Sequence, residues 1–73
     1  MILYSRPRCH LCDEAREELT RMQIGFEEID IEGDARLHAL FVERIPVLEV
    51  DGRVVCELGI DEPAVRAAIT WQT

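Results

Sequence analysis

Three cysteines carry the reactive chemistry of this 73-residue chain: Cys9 and Cys12 form a C-x-x-C pair, and Cys56 stands alone far downstream. Thiols at positions i and i+3 of a first helical turn bring their Cα atoms within about 4.4–6.8 Å, so a disulfide can close reversibly. A cysteine at a helix start also faces unpaired N–H groups and the positive end of the dipole, both of which favour the thiolate. Such positions lower a thiol pKa to roughly 3.5–7.5, and the thiolate is the nucleophile. Cys9 is thus expected to attack a substrate disulfide, with Arg6 and Arg8 adding positive charge just upstream. Cys12, one turn further in and more buried, is expected to resolve the mixed disulfide. The competing chemistry is half of a tetrahedral zinc site, which needs two more ligands. Only Cys56, His10 and His38 are spare, and His10 lies inside the motif, where it cannot easily turn back onto the same ion. No metal is expected.

Other residues carry weaker signals. Pro46 follows Ile45 at the start of an apolar run, where a cis or a trans bond is equally compatible with the spacing. A cis bond there leaves the Ile45 backbone groups free to bond an extended substrate. His10 between the thiols can favour the thiolate when protonated. His38 reads as surface, Cys56 as a small buried hydrophobe, and Trp71 as a cap on the core.

Composition bounds the rest. Fifteen acids against eight bases give a formal charge of −7, which disfavours nucleic acid and anionic membranes as partners. All eight bases are arginine, which excludes lysine chemistry such as a Schiff base. No apolar run reaches the ~20 residues of a membrane span. An odd cysteine count and an N-terminus without a basic, apolar leader predict a reducing, cytoplasmic setting. Length predicts a single domain over residues 1–73, and a monomer is expected.

The elements that position the cysteines follow from periodicity. Met1 to Tyr4 reads as a buried strand, broken by Ser5-Arg6-Pro7-Arg8. From Cys9 the pattern is helical, with Leu11, Ala15, Leu19 and Met22 on the inner stripe, Glu14, Glu17 and Glu18 as a solvated face, and Gly25 as the stop. Phe26 to Ile31 is a second strand, joined by a right-handed crossover. Gly33-Asp34 opens a shorter helix to about Glu43, with Leu37, Leu40 and Phe41 facing inward. Pro46 to Val50 and Arg53 to Glu57 flank Asp51-Gly52, a type I′ hairpin signal. Asp61 is the expected N-cap of a last helix that has Pro63 in its first turn and buries Ala64, Val65, Ala68 and Ile69. The order is βαβαββα.

Tyr4-Ser5-Arg6-Pro7-Arg8-Cys9-His10-Leu11-Cys12, Ile45-Pro46-Val47 and this order of elements together resemble a glutaredoxin of minimal size, over essentially the whole chain. The resemblance is to the short bacterial glutaredoxin-like proteins. It implies an α/β thioredoxin fold: a four-stranded mixed sheet with helices on both faces, and a cis Pro46 beside the dithiol. It implies a small thiol-disulfide oxidoreductase that reduces protein or glutathione mixed disulfides. Cys9 matches the family's nucleophile and Cys12 its resolving thiol. Arg6 matches a basic residue that contacts a glutathione carboxylate, a task suited to the guanidinium fork. Ile45 matches the residue whose backbone pairs with the glutathione cysteine, and Gly59, Ile60 and Asp61 fall where relatives hold the γ-glutamyl end. The chain departs from the usual C-P-Y-C, has Gly59 where relatives have two glycines, and has Ile60-Asp61 in place of an acid pair. No permanently bound cofactor is implied; glutathione is a candidate co-substrate, and glutathione or a thioredoxin reductase the candidate reductant. The alternative activity is carriage of a glutathione-ligated [2Fe–2S] cluster.

Overall fold

The computed structural model describes residues 1–70, so Trp71 lies outside the described residues. The chain runs β1 (Ile2–Ser5), α1 (His10–Arg21), β2 (Glu27–Asp30), a 3-10 turn (Ile31–Gly33), α2 (Ala35–Phe41), β3 (Val47–Val50), β4 (Arg53–Glu57) and α3 (Glu62–Thr70). The strands form one mixed sheet in the order β2-β1-β3-β4. β1 and β2 are parallel, as the α1 crossover requires, while β1–β3 and β3–β4 are antiparallel. This is the expected α/β thioredoxin architecture.

Alternation along the central strands sorts the core into two layers. Leu3, Leu48 and Cys56 meet Ala15, Leu19 and Met22 from α1 and its C-cap and Val65 from α3. On the other face Tyr4 and Val47 meet Phe41 and Leu37 of α2, together with Ile31, Ile45 and Cys12. Leu3, Leu19 and Leu48 are fully buried, each contributing about 1.5–3 kcal/mol by leaving water. The β3–β4 turn is the type I′ hairpin that Asp-Gly predicts, with φ of 51° at Asp51 and 77° at Gly52. A bulge follows: Leu48 faces Cys56 and Glu49 faces Val54, leaving Val55 as the extra residue.

Four local expectations are corrected. α1 is stopped by Gln23, not Gly25. Gln23 takes the left-handed conformation at φ 61°, its N–H bonds the Thr20 carbonyl, and the Ile24 N–H reaches the Leu19 carbonyl, both at 3.0 Å. These two bonds are the Schellman pattern that closes a helix end. β2 stops at Asp30, whose side chain accepts the Glu32 N–H at 2.8 Å and starts the 3-10 turn that buries Ile31. α2 ends at Phe41, two residues earlier than expected, and Leu40 points outward because only Leu37 and Phe41, four apart, share the inner face. Leu11 is exposed too, since its first turn extends beside the Leu58–Ile60 segment and is not covered by the sheet.

Candidate functional site

The two cysteines sit where β1 hands over to α1. Pro7 and Arg8 turn the chain, Arg8 in the left-handed region at φ 60°, a conformation that costs an L-residue about 1–2 kcal/mol. Cys9 is then the N-cap of α1, and its sulfur accepts the Cys12 N–H at 3.1 Å. The pair is joined as a disulfide with Cα atoms 5.1 Å apart. Cys9 is half-buried and Cys12 wholly buried against the layer that holds Ile45 and Val47, so an incoming sulfur meets Cys9 first. His10 is almost fully exposed and pairs through Nε2 with Glu14 at 3.1 Å, an i,i+4 contact on the outside of the helix.

The Ile45–Pro46 bond is cis, and Ile45 shares a buried cluster with Cys12, with Cys9 packed against it. Pro46 is fully buried. The loop is tied at several points. The Arg44 carbonyl accepts the Leu58 N–H at 3.0 Å, joining it to the end of β4. The Arg44 guanidinium pairs with Glu57 and lies 5.2 Å from the centre of the Phe41 ring. Phe41 in turn stacks on Tyr4, with ring centres 4.7 Å apart. The Tyr4 hydroxyl donates to Glu49 at 3.3 Å, and burial followed by this carboxylate raises its pKa. Arg44, Phe41 and Leu58 were not legible as site residues, because what places them is contacts between elements far apart in sequence.

The remaining expected site residues lie around this centre, but several of their groups are already engaged. Arg6 forms an ion pair with Glu32 at 3.2 Å, so the guanidinium expected to meet a glutathione carboxylate already holds a carboxylate of the chain. Arg8 makes no ion pair among the described residues and supplies the free positive charge next to Cys9. The Ile45 N–H bonds the Phe41 carbonyl at 3.0 Å, which corrects the expectation that a cis bond would leave it unpaired. Asp61 caps α3 as expected: its Oδ1 accepts the Ala64 N–H at 3.4 Å, and its carbonyl accepts the Val65 N–H at 3.0 Å. Its own N–H points back to the Cys56 sulfur at 3.4 Å. Gly59 and Ile60 are half-buried and, with Leu58, face α1 across a groove. Among the described residues no group of three or more His, Cys, Asp or Glu side chains converges to hold a metal ion, and no helix is long and apolar enough to cross a membrane.

Comparison with known proteins agrees with this geometry. The family model described as Glutaredoxin-like domain (DUF836) matches residues 1–70. The chain belongs to the glutaredoxin-like family. This glutaredoxin-like chain is 31% identical to the uncharacterized protein Rv0508 of Mycobacterium tuberculosis, over 97% of its own length and 82% of the relative's. It superposes on the structural-genomics target protein XcR50 from X. campestris with a TM-score of 0.81 and 38% identity, covering 96% of this chain and 95% of that one. A crystal structure of a mutant of the thioredoxin-like protein BC3987 matches at a TM-score of 0.68 and 25% identity, over 93% and 96%.

In the glutaredoxin-like chain the third cysteine serves the fold. Cys56 is buried in the α1–α3 layer, and burial raises its thiol pKa, only partly offset by the Asp61 backbone hydrogen bond. It keeps its proton at neutral pH. The expected reading of Cys56 as a small hydrophobe fits this setting, with one addition: its sulfur anchors the loop that carries Gly59 and Ile60.

Proposed function

We propose that this chain is a small dithiol thiol-disulfide oxidoreductase that reduces disulfides of partner proteins, working as a monomer in a reducing cytoplasm. The observation that carries this reading is the asymmetry of the pair: Cys9 half-exposed at a helix cap that accepts an N–H bond, Cys12 fully buried behind it. In the reduced protein the Cys9 thiolate attacks one sulfur of the substrate disulfide. A Cys9–substrate bond forms, the substrate bond breaks, and the other sulfur leaves as a thiolate that takes up a proton. Cys12 then loses its proton and attacks the Cys9 sulfur, restoring the intramolecular disulfide and releasing the second substrate thiol. The protein dithiol is oxidised by two electrons and the substrate reduced by two.

Arg8 and the α1 dipole favour the Cys9 thiolate over its thiol. Return to the dithiol needs glutathione or a thioredoxin reductase. The test is NADPH oxidation with 2-hydroxyethyl disulfide as substrate and each reducing system in turn. We expect turnover with at least one system and its loss in Cys9→Ser. Turnover retained in Cys9→Ser overturns the assignment.

A further inference from the structure

The groove between the first turns of α1 and the Leu58–Ile60 segment takes no part in the thiol exchange above, although the resemblance implies a substrate segment at Gly59 and Ile60. It has a volume of about 300 Å³, at the small end of ligand sites. That is room for one or two side chains. Three large apolar side chains, Leu11, Leu58 and Ile60, line it, with Leu11 46% and Leu58 57% exposed. These are two of the four large hydrophobic side chains left exposed among the described residues. Leu11 lies between the two cysteines in sequence, and the Leu58 N–H is bonded to the carbonyl of Arg44, whose neighbour Ile45 packs in the cluster that holds Cys12, so both sides of the groove are tied to the segments around the disulfide.

The near wall is acidic. Glu14 and Glu18 line it from α1, and the facing segment Leu58-Gly59-Ile60 has no ionisable side chain. Among the described residues Glu14 pairs only with the exposed His10, and Glu18 shares Arg21 with Glu62. The groove is also held in shape before any ligand arrives. Leu58 is fixed in the left-handed region at φ 63° by its N–H bond to the Arg44 carbonyl, and the far end is held by the Asp61 N–H bond to Cys56. Such preorganisation lowers the ordering cost of binding.

We propose that this groove docks the polypeptide flank of a disulfide-bonded partner protein, and that the preferred flank carries an apolar side chain next to a lysine or arginine. The inference rests on the oxidoreductase reading and specifies its substrate. The apolar residue covers Leu11 and Leu58, while the cation sits against Glu14 and Glu18. Acidic thiols such as glutathione, with two carboxylates and a net negative charge, meet the same wall with repulsion. Short peptide disulfides test this directly. The protein is reduced with dithiothreitol, freed of it, and mixed in single turnover with symmetric disulfides of Cys-Leu-Arg and of Cys-Leu-Glu. Each rate is divided by the same protein's rate with 2-hydroxyethyl disulfide.

The arginine peptide is expected to react faster than the glutamate peptide by about tenfold at low ionic strength, with the ratio falling as salt is added. Combining Glu14→Gln with Glu18→Gln should bring the ratio close to one. Leu58→Asn, which tolerates the same backbone conformation, should slow both peptides and leave the ratio intact. Equal rates for the two peptides in a protein that reduces 2-hydroxyethyl disulfide overturn the docking proposal alone. A protein that reduces none of the three overturns the oxidoreductase reading, and the docking proposal with it.

Discussion

Replacing Glu28 by glutamine tests how the cysteine-bearing helix is held to the sheet. Glu28 on β2 accepts the Ser5 hydroxyl at 2.7 Å and the Arg16 Nε at 2.9 Å, and Arg16 also bonds Asp13 at 2.9 Å. One carboxylate thus joins β1, β2 and the cysteine end of α1. Ser5 is buried, and its bond to a charged acceptor contributes roughly 1.5 kcal/mol. The Arg16 pair has side chains 40% and 32% exposed, which discounts it to about 0.5 kcal/mol. Glutamine keeps one acceptor, so the expected loss at neutral pH is about 1–1.5 kcal/mol, or roughly 5–10 °C in Tm for a chain this small. The loss must also depend on pH. Hydrogen bonds from Arg16 and then Ser5 hold the Glu28 pKa below its ordinary value, burial opposing them. Its contribution is therefore complete above the unfolded-state pKa and disappears as pH falls through the folded-state pKa. Urea titrations of both proteins across this acid range should show the two stabilities converging. A gap that stays constant with pH, or no gap at neutral pH, refutes the reasoning.

Three further outcomes follow from local geometry. Asp34 caps α2 by accepting the Arg36 and Leu37 N–H groups at 2.9 and 3.2 Å, so Asp34→Ala should cost ~1 kcal/mol in denaturant unfolding. Gln23→Gly should raise stability by about 0.5–1 kcal/mol in the same assay, because glycine occupies the left-handed C′ position without the side-chain penalty. In the oxidised protein Cys56 is the free thiol; being buried with a raised pKa, it should resist iodoacetamide at neutral pH and label fully only in denaturant.

Much of the fold is written in short-range patterns. Asp51-Gly52 requires the left-handed turn it forms, and the cysteine spacing places Cys9 at a cap and Cys12 behind it. Asp34 and Asp61 announce the starts of α2 and α3 by side-chain type. The cis state of Pro46 came from the family resemblance, since spacing left both isomers open. What the residues did not disclose depends on contacts between distant elements. The Arg6–Glu32 ion pair was not foreseen, because Glu32 reaches Arg6 only after β2 aligns beside β1. The Ile45 amide looked free because its acceptor, the Phe41 carbonyl, depends on where α2 ends. Leu11 satisfies the helical stripe by angle, yet it lines the groove instead of the core because its turn lies at the exposed cysteine end. Its exposure is what turned an apparent core residue into part of the proposed docking surface.

The division of labour between the two cysteines is tested most directly by trapping with Cys12→Ser. The reduced variant is mixed with one equivalent of a peptide disulfide, quenched with acid, and digested for mass spectrometry beside the wild-type protein. The wild type should return to the Cys9–Cys12 disulfide with two peptide thiols released. Cys12→Ser should hold one peptide on Cys9 and release one. An adduct on Cys56, or wild-type consumption of the substrate without closure of the Cys9–Cys12 bond, would contradict the account.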